Sequence, residues 1–287
     1  MDVHGKKICV TGTAGLIAGY ISRDLIRAQT SDNTFYFPTR QVLDLTSKQD
    51  VEKYFKAISP DIIIHCAALT NNPACEKNPD LAYLLNVESC RWICEFCPDA
   101  WIGHFSTDLV FDGSEGAYTE ESPVSPIGVY AESKAESERV FLKHSKSCII
   151  RTSLNGGVSA TGDRGFNEKM RMSWASGNST RLFVDEYRNP IPAAVTSRAV
   201  LDIMSHQLTG IFHLCGNEKL SRFEIGDLIA KRWPGLNPKI LSGSIKDYSG
   251  PPRSPDCSMQ CDKIKPFLSF PLPGLSEYLS SNPRIPF

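Results

Sequence analysis

The stretch Lys7-Ile8-Cys9-Val10-Thr11-Gly12-Thr13-Ala14-Gly15-Leu16-Ile17-Ala18-Gly19 runs from a short apolar segment through a glycine turn into a helical pattern spanning Tyr20 to Ala28. Strand, glycine turn and helix in direct succession is the setting in which a backbone can cradle a dinucleotide pyrophosphate. Gly12 permits the tight turn and Gly15 lets the backbone approach the phosphates. The N-terminus of the following helix faces their negative charge. The third small position of the pattern is Ala18, with Gly19 displaced by one residue.

Outward from this turn, strand-like and helical segments alternate. Thr34–Pro38 reads as a second strand, and Thr39-Arg40 follows it where an acidic residue would otherwise meet ribose hydroxyls. A guanidinium at that place binds a 2′-phosphate, so Arg40 favours NADP over NAD. Asp44-Leu45-Thr46 precedes a helix over Lys48–Ile58, with Thr46 or Ser47 as its cap. Asp61 to Ala68 suits a buried parallel strand, and the small Ala67 and Ala68 leave room over its end. His65 is expected to pack there, since no second metal ligand sits at a useful spacing. A long helix after Pro79 carries Asn86. Trp101–Ser106 is a further strand, bringing Thr107 and Asp108 to its C-terminal edge, where open α/β sheets bind ligands.

Cys148–Thr152 and Gly210–Cys215 read as later strands, and Ser221–Arg232 as a capped helix. The pattern predicts an α/β, Rossmann-type doubly wound parallel sheet over residues 1–153. Residues 154–287 are expected to form mainly a smaller C-terminal substrate-binding region, apart from the strand near 210–215 that returns to the sheet. The proline-dense tail from Pro251 to Phe287 reads as extended packing.

Tyr130 and Lys134, in Val129-Tyr130-Ala131-Glu132-Ser133-Lys134, stand four apart and share one helix face. A phenol titrates near pH ~10, and an ammonium one turn away would favour its phenolate. Such a pair also occurs on ordinary solvated helix faces. The glycine turn and the upstream Ser106-Thr107-Asp108 give it chemical meaning. The glutamates of this helix, with Lys143, are expected to form its polar outer face.

With 287 residues, 41% hydrophobic and 22% charged, the composition is that of a globular protein. A formal net charge of −1 without a basic run disfavours nucleic acid or an anionic membrane as partner. The polar start Met1–Lys7 and the absence of a spanning segment point to a cytoplasmic protein. The ten cysteines are scattered, as suits reduced core thiols. Cys90, Cys94 and Cys97 have a C-x3-C-x2-C spacing that can hold an iron–sulfur cluster. On one continuous helix they form a stripe, which reads instead as core-facing, and no metal is expected.

Together these features resemble the extended short-chain dehydrogenase/reductase superfamily and, within it, the dTDP-4-dehydrorhamnose reductase family. The resemblance covers nearly the whole chain. Its specific element is Ser106-Thr107-Asp108-Leu109-Val110-Phe111-Asp112-Gly113, joined by Tyr130 and Lys134. It implies Thr107, Tyr130 and Lys134 as a catalytic triad, with Thr107, Asp108 and Tyr130 meeting substrate. Cofactor contacts implied are Gly12, Thr13, Ala14, Gly15, Leu16, Ile17, Arg40, Asp44, Leu45, Cys66, Ala67, Ala68, Asn86, Ser106, Tyr130 and Lys134.

Sugar dehydratases of the superfamily follow their threonine with Asp-Glu. Leu109 stands in place of the second acid, which favours carbonyl reduction. The implied activity is NADP-dependent reduction of a nucleotide-linked 4-keto-6-deoxy sugar. Two alternatives stay open: a nucleotide-sugar epimerase, and a cofactor-binding regulatory subunit like that of methionine adenosyltransferase. A homodimer also stays open. The chain departs from the family pattern at Ala18 and at Gly165-Phe166, where the family often has Asn-Phe.

Overall fold

The structure is a computed structural model and describes residues 4–28, 32–285 and 287. Met1, Asp2 and Val3 of the polar start, and Pro286 of the tail, lie outside the described residues. Six parallel strands form the central sheet. The first five are β1 (Lys7–Thr11), β2 (Thr34–Tyr36), β3 (Ile62–His65), β4 (Trp101–Thr107) and β5 (Ser147–Thr152). Short strands follow at β6 (Asn155–Gly156), β7 (Thr180–Phe183), β8 (Tyr187–Arg188) and β9 (Ile191–Pro192), before β10 (Gly210–Leu214) returns to pair with β5. The order β10-β5-β4-β3-β1-β2 reverses direction at β1, which opens a crevice at the C-terminal strand ends between β1 and β3.

The sheet strands are apolar on both faces because both are covered. On one side α1 (Leu16–Arg27) packs with α8 (Ala193–Ser205), and Ile8, Val10, Ile64 and Ile150 meet Ile21, Val200 and Ile203. On the other lie α2 (Lys48–Ile58), α5 (Ser89–Phe96) and α6 (Val129–Phe141), where Cys9, Ile63 and Ile102 meet Phe55, Ile93 and Phe141. Ser47 caps α2 by accepting from the Asp50 amide at 3.2 Å. Cys90 and Cys97 are buried in this second core and Cys94 is half-buried, so the cysteine stripe faces inward.

The rest of the chain builds a smaller lobe from α7 (Phe166–Ala175), α9 (Arg222–Ala230), β12 (Ile240–Gly243) and α10 (Leu275–Ser281). β12 pairs parallel with β7, while β11 (Leu220–Ser221) pairs antiparallel with β8. Met170, Trp174, Leu182, Ile225 and Leu275 form its core. Ser221 starts α9 with a capping box to Glu224. The tail differs from its extended reading. Leu275 and Leu279 bury one side of α10, a turn of helix that the surrounding prolines mask. Among the described residues no helix is long and apolar enough to cross a membrane.

Candidate active site

A single cleft of about 1020 Å³ runs along the C-terminal ends of β1, β3, β4 and β5 and under the smaller lobe. One end is the glycine turn. Gly12 has φ +74°, and a Cβ there would sit 2.8 Å from the Ala67 nitrogen, so only glycine lets the β1 and β3 ends approach. Gly15 precedes α1 and donates its amide to the Gly12 carbonyl at 2.8 Å. Ala18 is the fully buried small residue of the pattern, whereas Gly19 has space around it. Thr13, Ala14, Leu16, Ile17, Leu45, Cys66, Ala67 and Ala68 line this end. Arg40 and Asp44 lie at its rim. Asp44 is held below the usual carboxylate range, chiefly by hydrogen bonds from Thr46, with the Arg40 charge adding to them.

The middle of the cleft carries Ser106 and Thr107 from the end of β4, Asp108 just after it, and Tyr130 and Lys134 from α6. Gly128 cannot cap α6 with a side chain; Glu76 from α3 (Asn72–Lys77) does so instead, its Oε1 accepting from the Val129 amide at 2.9 Å. Burial holds the Tyr130 phenol above its ordinary range, a hydrogen bond with Thr107 works against this, and the Asp108 charge adds to the rise. Lys134 is 2% exposed. Burial draws its ammonium down to about 8, against the pull of Cys90, Glu138 and Cys66. Its Nζ lies 3.1 Å from His104 Nε2. Burial thus opposes at Tyr130 the lowering that an ammonium one turn away was expected to bring.

Glu138 also departs from expectation. It is buried, its carboxylate pairing with Arg151 at 2.8 Å and accepting from Ser106 Oγ at 2.5 Å. The outer-face reading fails for Glu138 because Arg151 reaches it from β5, whereas Glu132 and Lys143 are exposed. Asn86 is buried and is not among the residues that line the cleft, although its neighbour Leu85 is. Its Oδ1 accepts from the Leu69 amide at 2.7 Å, and its Nδ2 donates to Ser133 Oγ at 2.9 Å. It braces the loop after β3 against α6. The backbone around it is a π-helical turn, Leu84–Glu88, set between α4 (Pro79–Tyr83) and α5.

The far end of the cleft is cationic and was not read from the sequence. Arg164, Lys169, Arg188, Arg222 and Arg253 line it. Arg188 is buried between Glu186 at 3.2 Å and Asp108 at 3.6 Å, and Arg253 pairs with Glu186 at 2.7 Å. Burial pushes the Asp108 carboxyl up while Arg188 opposes it, and Ser153 Oγ donates to it at 2.6 Å. Burial draws Arg222 down to about 10, against Glu186. These residues come from four separate segments, so no local spacing could have announced them.

His65 packs at the strand end as expected, hydrogen-bonded to Thr11 Oγ1 at 2.8 Å. Neighbours remote in sequence join it, and ligand atoms of His65, Cys90 and His104 converge within 4.8 Å. A cation there would face the Lys134 ammonium. Burial pushes the Cys90 thiol up to about 11, so a cation there would also have to displace its proton.

The RmlD substrate binding domain family matches residues 6–281. The chain is similar to Agl14 of Haloferax volcanii, described as a probable low-salt glycan biosynthesis reductase, with 29% identity over 86% of each chain. It is also similar to methionine adenosyltransferase 2 subunit beta of Xenopus laevis, with 23% identity over 92% of this chain and 83% of the relative. The crystal structure of dTDP-4-dehydrorhamnose reductase from Bacillus anthracis in complex with NADP superposes with a TM-score of 0.86 and 25% identity. That match covers 96% of this chain and 98% of the other. With one family spanning both lobes and the cleft between them, the chain belongs to the RmlD substrate binding domain family.

Proposed function

We propose that the chain is an NADP-dependent reductase of a nucleotide-linked 4-keto-6-deoxy sugar. The observation that carries this reading is the order of chemistries along one cleft: glycine cradle, then Thr107, Tyr130 and Lys134, then a cluster of arginines. The cradle fits a dinucleotide, because Gly12 lets the β1 and β3 ends close up and Gly15 opens α1 with its N-terminus on the cleft. Residues 12–17, Cys66, Ala67 and Ala68 would hold the cofactor, and Arg40 its 2′-phosphate. NADPH, when bound, supplies hydride for the keto carbon.

The chain's own residues supply the rest. Tyr130 donates a proton to the keto oxygen, and its raised pKa keeps that proton in place until negative charge develops. Thr107 hydrogen-bonds the same oxygen. The Lys134 ammonium stabilises the phenolate left behind. Arg222 and Arg253 face the diphosphate of the nucleotide. Leu109 lines the cleft where a dehydratase would carry its second acid, so no paired carboxylates stand ready to eliminate water.

The test is NADPH consumption with a panel of nucleotide-linked keto sugars. Tyr130→Phe should lower turnover by about 10²–10⁴-fold. Full turnover in that variant would reject Tyr130 as the acid. A second reading, a cofactor-binding regulatory subunit, is favoured by the likeness to methionine adenosyltransferase 2 subunit beta. It gains if the protein purified from its own cells is bound to a larger enzyme and consumes no NADPH with any sugar.

A further inference from the structure

We propose that His104 is the positioning residue for Lys134: its Nε2 accepts one ammonium hydrogen bond from beneath and leaves the other two N–H groups for the cleft. Only the kinetic arm of its test rests on the reductase reading.

Among the described residues, the hydrogen bond found for Lys134 Nζ is the one to His104 Nε2, at 3.1 Å. An ammonium has donors only. Nε2 must therefore present its lone pair, which places the ring's single proton on Nδ1, a buried nitrogen with no hydrogen-bond partner among the described residues. A protonated imidazole could not accept at all. The fold keeps this ring neutral. It is fully buried, stacked beside His65 at 5.5 Å and packed on Phe141 at 4.4 Å. Burial and the Lys134 charge hold its pKa well below the usual histidine range.

The groups around Lys134 offer no better partner. Tyr130 and Glu138 share its helix, Cys66 and His65 come from β3, and Cys90 from α5. Glu138 is the one carboxylate among them, and Arg151 and Ser106 occupy it. Ser137 Oγ lies 2.9 Å from the same Nε2 and 2.7 Å from the Lys134 carbonyl; with Nε2 unprotonated, its single hydroxyl proton braces the ring only when directed at Nε2, sharing that lone pair with Lys134. Strand alternation completes the device. His104 and Ser106 point to one face of β4, toward α6, and the strand then delivers Thr107 to the cleft. One strand thus sets both the threonine and the lysine.

Nitrogen NMR of the wild-type imidazoles reads the tautomer directly. We expect His104 Nε2 to be unprotonated and Nδ1 protonated at neutral pH; a proton on Nε2 there overturns the proposal. Carbon NMR of the lysine Cε atoms, assigned with Lys134→Met, reads the lysine. In His104→Leu the Lys134 midpoint should fall by about one to two pH units, the equivalent of one lost hydrogen bond to a charged group. In His104→Gln, whose amide oxygen can accept, it should stay within about half a unit. Equal midpoints in wild type and His104→Leu overturn the proposal. If His104→Leu does not fold, the wild-type nitrogen shifts decide. In turnover, His104→Leu should lose kcat with its alkaline limb moved to lower pH and KM for the sugar unchanged, and His104→Gln should restore both. Absence of turnover in the wild type refutes the reductase reading alone, because both NMR arms still decide the role of His104.

Discussion

Lys134 and Arg40 make the two clearest tests at the scale of single residues. Burial lowers the Lys134 pKa to about 8, below the unfolded value of about 10.4. Turnover should therefore fall as pH rises above about 8, by about tenfold per unit, wherever the ammonium is required. Stability should move the other way. Between about pH 8 and 10.4 the unfolded chain binds the extra proton, so this group's contribution rises with pH across that window. A pH profile of kcat beside one of unfolding free energy checks both signs. Arg40 is exposed at the cleft rim. A charge-assisted contact to phosphate contributes about 1.5–3 kcal/mol, so Arg40→Ala should weaken NADPH by about tenfold to a hundredfold and leave NADH little changed. Fluorescence titration of both cofactors measures it; equal wild-type affinities would remove Arg40 from the phosphate site. The residues announced in the sequence are those whose neighbours are local, such as Gly12 beside Gly15 or Tyr130 above Lys134. Arg188, Arg222 and Glu138 were illegible because each takes its meaning from a partner in another segment: Asp108, Glu186 and Arg151.

Among the elements, α6 shows how a functional helix is started without a cap of its own. Glu76 supplies the acceptor for the Val129 amide just before Tyr130. Glu76→Ala should cost roughly 0.5–2 kcal/mol of stability, seen as a fall of a few degrees in Tm. It should lower kcat more than cofactor affinity, since it loosens the turn that carries Tyr130. An unchanged Tm would show that water caps this end equally well. The long, strongly patterned elements were legible. β1 and α2 have the bounds their apolar periodicity suggests, and β10 ends one residue short of its reading. The π-helical turn at Leu84–Glu88 has no sequence signature of its own. α10 was hidden because prolines before and after it look like punctuation, while Leu275 and Leu279 find their cover only in the smaller lobe.

The whole molecule is knit across its two lobes. The core that starts at Ile8 ends at Leu272, and the buried Asp108, Arg188 and Glu186 form a chain of charges that runs from just after β4 to the half-buried Arg253. Unfolding should accordingly be one cooperative transition by calorimetry, with spectroscopic and calorimetric enthalpies agreeing. A fragment ending at Ser153 should not fold to a stable sheet, because α8 and β10 are missing from its face and edge. Two separate transitions, or a folded fragment by circular dichroism, would contradict this. The pairing of β10 with β5 also matters before the protein is finished. A ribosome that has just released β5 must still synthesise everything between Thr152 and Gly210 before the partner emerges, several seconds at about 5–20 residues per second. Throughout that interval the apolar run Cys148-Ile149-Ile150 presents an open edge to any other nascent strand nearby. Expression yield should thus depend on holdase chaperones during translation, even though the finished sheet has that edge covered.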